Sequence, residues 1–302
     1  MTKLLSKLVV DFGWSLWSEL GVPGVVRRHV HVAIDPEPLI VFSPWLFRDD
    51  ARLQEEVVRW CVAHADRISA SRLHGLVKTA SPDVSSAFHE LTMTLHAHGV
   101  PWTKTAAKTT QPTPPTTTTK PLALPTTRPA LIRMRLRALA GVGARADVLA
   151  ELLGHHGRWL IASDLHHLGY SKRNVSRVLG ELADAGIVDS RADRNAVGFK
   201  LATPLLGQLL HRQRLAWPPW AALLAFVEDA QRLRDDQGKS EVVRRVAAPK
   251  AAARFEVACA ALDLKRPVAS AGDPWTAVVV WAEEQLSSIV DGTSPVSALP
   301  AK

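Results

Sequence analysis

Between residues 103 and 129 the chain runs through eleven threonines and six prolines without one acidic residue. Such a stretch buries too little apolar surface to offset the entropy lost on ordering it, so it predicts an extended, mobile linker over 103–130. It sets apart an N-terminal domain (1–102) from all that follows. A softer boundary falls at Trp217-Pro218-Pro219-Trp220, where paired prolines end any preceding helix. The 302 residues suffice for two or three cores. The expected division is therefore a helical domain at 1–102, the linker, a central domain at 131–215 and a helical C-terminal domain at 216–302.

The net charge of +8 is unevenly spread. Residues 1–102 carry 10 basic and 11 acidic groups (net −1), and 216–302 carry the same balance. Residues 103–130 hold 4 basic and no acidic groups (net +4), and 131–215 hold 13 basic and 7 acidic (net +6). All the excess lies in the linker and the central domain, which points to a polyanionic partner for that part of the chain.

Both flanking domains read as helical. Leu4, Leu8, Phe12 and Leu16 repeat every four residues, and Leu53, Val57, Trp60 and Cys61 follow Asp49-Asp50, acidic residues suited to a helix N-terminus. Pro38–Pro44 fits a short strand or the start of a buried helix. Further helices are expected at Trp220–Arg234, Glu241–Leu262 and Pro274–Val290. Cys61 and Cys259, each among apolar neighbours, read as buried thiols in a reducing cytoplasm. Asp11 interrupts the first apolar run, so no secretory signal is expected, and no apolar run reaches the roughly 20 residues of a membrane span.

The central domain has the clearest punctuation. Val148, Leu149, Leu152 and Leu153 predict a helix ending at Gly154, and Trp159-Leu160-Ile161 a short strand. Ser163 stands where a helix cap belongs, before Leu165, Leu168 and a stop at Gly169. Ser171 caps a longer helix carrying Val175, Val178, Leu179 and Leu182, ended by Gly186. Ile187-Val188 begins a strand, Ser190–Asn195 turns, and Val197–Leu201 returns. Residues 163–188 read Ser163-Asp-Leu-His-His-Leu-Gly-Tyr-Ser-Lys-Arg-Asn-Val-Ser-Arg-Val-Leu-Gly-Glu-Leu-Ala-Asp-Ala-Gly-Ile-Val188. With the hairpin after them, they resemble the winged helix-turn-helix of MarR- and ArsR-type bacterial transcriptional regulators, over about 131–202 only. The resemblance implies a three-helix core with a β-hairpin wing, bound to double-stranded DNA.

The residues support that implication independently. With Val175, Val178, Leu179 and Leu182 on one side, Arg173, Arg177, Gly180 and Asp184 fall within about 40° of the opposite direction, and Ser176 lies on the flank of that face, about 70° from it. Arginine makes bidentate contacts to guanine, serine bonds phosphate or base, and glycine admits close approach. At the helix start, Ser171, Lys172 and Asn174 lie within reach of phosphates. Arg191, Arg194 and Asn195 in the hairpin are candidates for phosphate or minor-groove contact. Glu181 and Asp184 interrupt the basic face toward its C-terminal half.

Residues 70–76 (Ala-Ser-Arg-Leu-His-Gly-Leu) echo residues 162–168 (Ala-Ser-Asp-Leu-His-His-Leu), so 67–100 is weighed as a second, degenerate helix-turn-helix against chance similarity. The adjacent pairs His155-His156 and His166-His167 diverge by about 100° on a helix and make poor chelates. No phosphate loop, dinucleotide fingerprint or nucleophile elbow occurs. The sequence thus predicts a non-enzymatic, cytoplasmic DNA-binding regulator without metal or cofactor. It is expected to be a homodimer, with Leu223, Leu224, Val227 and Leu233 as candidate dimer surface or core, leaving the N-terminal domain for a protein partner or a signal. The competing reading is a protein-docking winged helix, such as an antitoxin or adaptor of a two-component system.

Overall fold

A computed structural model of the chain describes residues 2–24, 27–100, 102, 123–155, 157–193, 196–202, 215–267 and 273–294. It is mainly helical, with one small antiparallel sheet among the described residues. Among the described residues no helix is long and apolar enough to cross a membrane.

Helix α1 (Thr2–Glu19) buries Leu5, Leu8, Val9, Phe12 and Leu16. A strict four-residue repeat overshoots each turn by about 40°, which is why Leu4 is exposed and Leu5 and Val9 complete the stripe. The ambiguous stretch at 38–44 belongs to α2 (Pro36–Leu46), a helix buried on nearly every side. Its first two prolines occupy the opening turn, where backbone N–H groups have no intrahelical acceptor anyway. Asp50 caps α3 (Ala51–Ala63) by accepting from the Leu53 amide at 2.9 Å. Ser69 and Ser81 cap α4 (Ala70–Thr79) and α5 (Pro82–Ala97) in the same way. The two helices of the sequence echo are therefore present. Arg72, which matches Asp164 in the other copy, is buried and presents no basic face.

The C-terminal segment forms α9 (Trp220–Asp236), α10 (Glu241–Arg254), α11 (Glu256–Leu262) and α12 (Pro274–Val290). Helices α9 and α12 pack against α1, and α9 also packs against α2. Residues from 5 to 102 and from 216 to 290 thus share one hydrophobic core, so the flanking domains expected as separate are one helical body. Leu223, Leu224, Val227 and Leu233 lie inside that core, which removes them as a dimer surface. Both cysteines are buried free thiols. The end of the expected linker, from residue 123, is fastened to the body: Leu124 packs on the core and Arg128 Nη1 donates to the Glu19 carbonyl at 3.1 Å. The rest, residues 103–122, lies outside the described residues.

The central unit has its own core and comprises α6 (Ile132–Ala140), α7 (Ala144–Gly154), a 3-10 helix (Ala162–Leu168), α8 (Lys172–Asp184) and the hairpin β1 (Val188–Asp193) and β2 (Ala196–Leu201). The expected strand at 159–161 is a single bridge, Leu160 exchanging two 2.8 Å backbone bonds with Phe199. Ser163 is not the cap. The 3-10 helix begins one residue earlier, and the Asp164 carboxylate accepts from the Ile161 amide at 2.9 Å. Gly169 ends it at φ 77°, a left-handed conformation that a side chain would disfavour. The polar run at 190–195 was expected to turn the chain. Ser190–Asp193 instead extends β1, with Arg191 paired to Gly198 and Asp193 to Ala196.

Candidate nucleic-acid interface

Ser171 opens α8: its hydroxyl accepts from the Asn174 amide at 3.3 Å, so its side chain serves the cap. Val175, Val178, Leu179 and Leu182 are buried beneath the helix. Lys172, Arg173, Ser176 and Arg177 are exposed, and Asn174 and Gly180 are half-buried. A β-carbon at Gly180 would meet no atom within 4 Å, so that point of the helix surface is open.

The charged groups on this face are not equivalent. Arg177 pairs with Glu181 and also donates from Nη2 to Asn174 Oδ1 at 2.9 Å. Arg145, at the start of α7, reaches the other Glu181 oxygen at 2.6 Å. The hydrogen bond from Arg145, reinforced by the charge of Arg177, holds the Glu181 carboxyl below the usual range. Glu181 is therefore bracketed by two guanidiniums, and Arg145 is a member of this face that helix periodicity within α8 had no means to reveal. Arg173 makes no ion pair among the described residues.

On the hairpin, Arg191 lies over the Trp159 ring with its Cζ 4.6 Å from the centroid, and Lys200 Nζ lies 5.0 Å from the same centroid. Two cations thus share one indole plate. The indole lies against Gly198, where a β-carbon would sit 3.5 Å from the ring, an ordinary contact distance. Trp159 and Lys200 were missed because Trp159 reads as strand filling and Lys200 as an ordinary strand exterior. Arg194 and Asn195 lie outside the described residues.

Behind this face, a buried ion network joins the unit to the helical body. Asp147 Oδ1 accepts from Arg137 Nη2 at 2.8 Å and Arg133 Nη1 at 3.3 Å, and its Oδ2 accepts from the Tyr170 hydroxyl at 2.7 Å. Glu37, fully buried on α2, receives both terminal nitrogens of Arg137, Arg72 Nη1 at 2.6 Å and the Ser69 amide at 2.9 Å. Arg72 also pairs with Asp35, and Arg133 with Glu151 at 2.8 Å. Burial pushes all four carboxyls toward protonation. For Asp147 the guanidiniums of Arg137, Arg72 and Arg133 outweigh burial and hold it below the ordinary range, and Arg133 and Arg72 do the same for Asp35. For Glu37 burial prevails and its pKa is raised. Burial and Asp147 together push the Tyr170 hydroxyl up, so it remains a donor.

Arg133 and Arg137 therefore contribute nothing to the exposed charge of the central unit. Asp147 and Glu151 are removed with them, so 11 basic and 5 acidic residues remain from 131–215 and the excess of +6 stands.

Two histidines, His167 and His29, are held by internal partners. His167 Nδ1 bonds the Asp164 carbonyl oxygen at 3.1 Å, while its Nε2 lies 3.3 Å from Glu151 Oε2. That carboxylate raises the His167 pKa, and Glu151, despite burial, is pulled down to about 2 by His167 and Arg133. His29 is buried against Ser15 and the Ile289 carbonyl, with its pKa lowered to about 4 by desolvation. Among the described residues no three His, Cys, Asp or Glu side chains are grouped to hold a metal ion. Comparison with protein-family models, curated proteins and solved structures returns no match.

Proposed function

We propose that the chain binds double-stranded DNA as a sequence-specific transcriptional regulator. In this reading the central unit is a winged helix: α8 enters the major groove and the β1–β2 hairpin is the wing. The observation that carries it is the open face of α8, where Lys172, Arg173, Ser176 and Arg177 are all exposed opposite a wholly apolar buried side. The Arg191–Trp159–Lys200 cluster adds cations on the hairpin for the phosphate backbone. One short helix reads few base pairs, so two copies on a pseudo-palindromic site supply the specificity.

Titrating the full chain onto a duplex library at several salt concentrations tests this reading. Log affinity should fall linearly with log salt, by roughly 0.9 per phosphate contacted. A full chain that fails to shift duplex DNA even at low salt would overturn it. The engagement of Arg177 and Arg145 by Glu181 favours a second reading, a protein-docking winged helix whose outer face is already partly neutralised. Partner binding through the helical body that survives Arg173→Ala would favour that alternative.

A further inference from the structure

Helices α10 and α11 bury Ala248, Ala251, Phe255, Ala258, Cys259 and Leu262. These positions keep one helical face through the junction, where Phe255 remains in the right-handed region and its carbonyl accepts from the Cys259 amide at 2.8 Å. The face diametrically opposite should be polar in a surface helix. It carries Val242, Val246, Pro249, Ala253, Val257 and Ala260, all exposed, the three valines at 73%, 77% and 80%. Single exposed valines need no explanation, but six apolar positions in line do. Their successive steps of 4, 3, 4, 4 and 3 residues are those of a helix seam shaped to receive another helix.

We propose that this stripe is a self-association surface, on which two copies of the chain pair α10–α11 antiparallel across a two-fold axis near residue 251. Antiparallel pairing sets Val242 of one copy beside Ala260 of the other, Val246 beside Val257, and Pro249 beside Ala253, so small residues meet at the centre. Charge selects the second copy and its direction. Arg245 and Glu256 flank the same edge of the stripe, and under this symmetry each meets its opposite on the other copy. A parallel pair would turn this edge toward the opposite edge of the stripe, which carries Val243, Lys250 and Ala261, and neither contact would form. Among the described residues both groups make only exposed intramolecular pairs, Arg245 with Glu241 at 2.8 Å and Glu256 with Arg266 at 3.5 Å, which are weak and readily exchanged. The surface deepens the two-copy reading above, and it rests on that reading only for the use of the pair on DNA.

Sedimentation velocity on the full chain at micromolar concentration tests the proposal. The wild type sediments as a dimer, and Val246→Glu with Val257→Glu raises the dissociation constant at least about tenfold, while circular dichroism and the thermal midpoint stay unchanged because both sites are exposed. Arg245→Glu alone and Glu256→Arg alone weaken the dimer, and the two together restore it. A monomeric wild type, a dimer indifferent to the valine changes, or a charge swap without rescue overturns the proposal. A duplex-binding assay on the same proteins separates the two questions. A dimer that behaves as described without binding DNA upholds the surface and sinks the DNA reading. Intact DNA binding with an insensitive dimer does the reverse.

Discussion

The Tyr170 hydroxyl donates to Asp147 Oδ2 at 2.7 Å, so the turn that precedes α8 is held by the carboxylate that Arg133 and Arg137 share. Losing a hydrogen bond to a charged group costs about 1.5–3 kcal/mol, and Tyr170→Phe should lower unfolding stability by that amount. Asp147→Ala leaves buried guanidiniums uncompensated and should cost more, about 3–5 kcal/mol. Urea denaturation of the full chain measures both. A Tyr170→Phe protein within about 0.5 kcal/mol of wild type would show that the contact does not hold the turn.

The His167–Glu151 pair gives a pH signature. Glu151 raises the His167 pKa above 6.5, so its stabilisation is fully present below that value and is lost as pH rises through the elevated folded value. Glu151 runs the other way: held down to about 2 in the folded chain, it contributes above its ordinary 4.5 and loses that contribution as pH falls through about 2. The stability difference between wild type and His167→Gln should therefore be largest near pH 5 to 6 and shrink toward pH 9. Taking the difference cancels His29, which titrates in both proteins. A difference that does not vary with pH would contradict the pairing.

On α8, Arg173 has no ion pair among the described residues and Arg177 is engaged by Glu181, which predicts unequal roles. Arg173→Ala should reduce discrimination of the preferred site by about 1–3 kcal/mol, the range of one bidentate arginine–guanine contact, and Arg177→Ala by less. Glu181→Gln frees Arg177 and Arg145 and should tighten binding to duplexes of any sequence. Competition binding against random duplex checks all three. Two folded arginine variants with unchanged affinity and selectivity would mean that α8 does not read bases.

The hairpin cations should act without regard to sequence. Arg191→Ala and Lys200→Ala should each reduce the salt slope by about one and weaken specific and random DNA alike. Trp159→Leu removes the plate on which both cations rest and should lower affinity while leaving the charge count unchanged. Equal salt slopes across these proteins would place the hairpin away from the phosphates.

Residues 131–215 should not be stable alone. The cut separates Arg137 from Glu37, and Arg133 from Asp35, leaving charges buried without part of their compensation. A fragment comprising these residues should melt well below the full chain or without cooperativity, read by circular dichroism. A sharp melt at the full-chain temperature would show the network to be dispensable.

Local features were readable before the fold was known. Ser171, the stripe at Val175, Val178, Leu179 and Leu182, and the stop at Gly186 act within one or two turns of helix, and each stands where its chemistry predicts. Arg133 and Arg137 were counted with the exposed positive charge because counting cannot separate a surface guanidinium from a buried one. A signal did exist: these arginines are four apart on α6, and Asp147 and Glu151 are four apart on α7, two matched edges ready to face each other. The single core shared by residues 5–102 and 216–290 left no local trace, since the whole of 103–215 separates the partners in sequence but not in space.

The central unit leaves the body and returns to it at neighbouring points. The Ile34 amide donates to the Ala130 carbonyl at 3.0 Å, while the Ala33 amide donates to the Ala216 carbonyl at 2.9 Å and the Ala216 amide to the His31 carbonyl at 2.8 Å. Its outgoing and incoming strands of chain are thus gripped side by side by one short segment, residues 31–34. Topologically, this is the arrangement of a guest spliced into a host: the host's path closes at 130 and 216 whether the guest is long or short. The guest can vary in length between those two points without rerouting the helices around it, provided that it keeps Arg133, Arg137 and Asp147, the partners of the host's buried Asp35, Glu37 and Arg72.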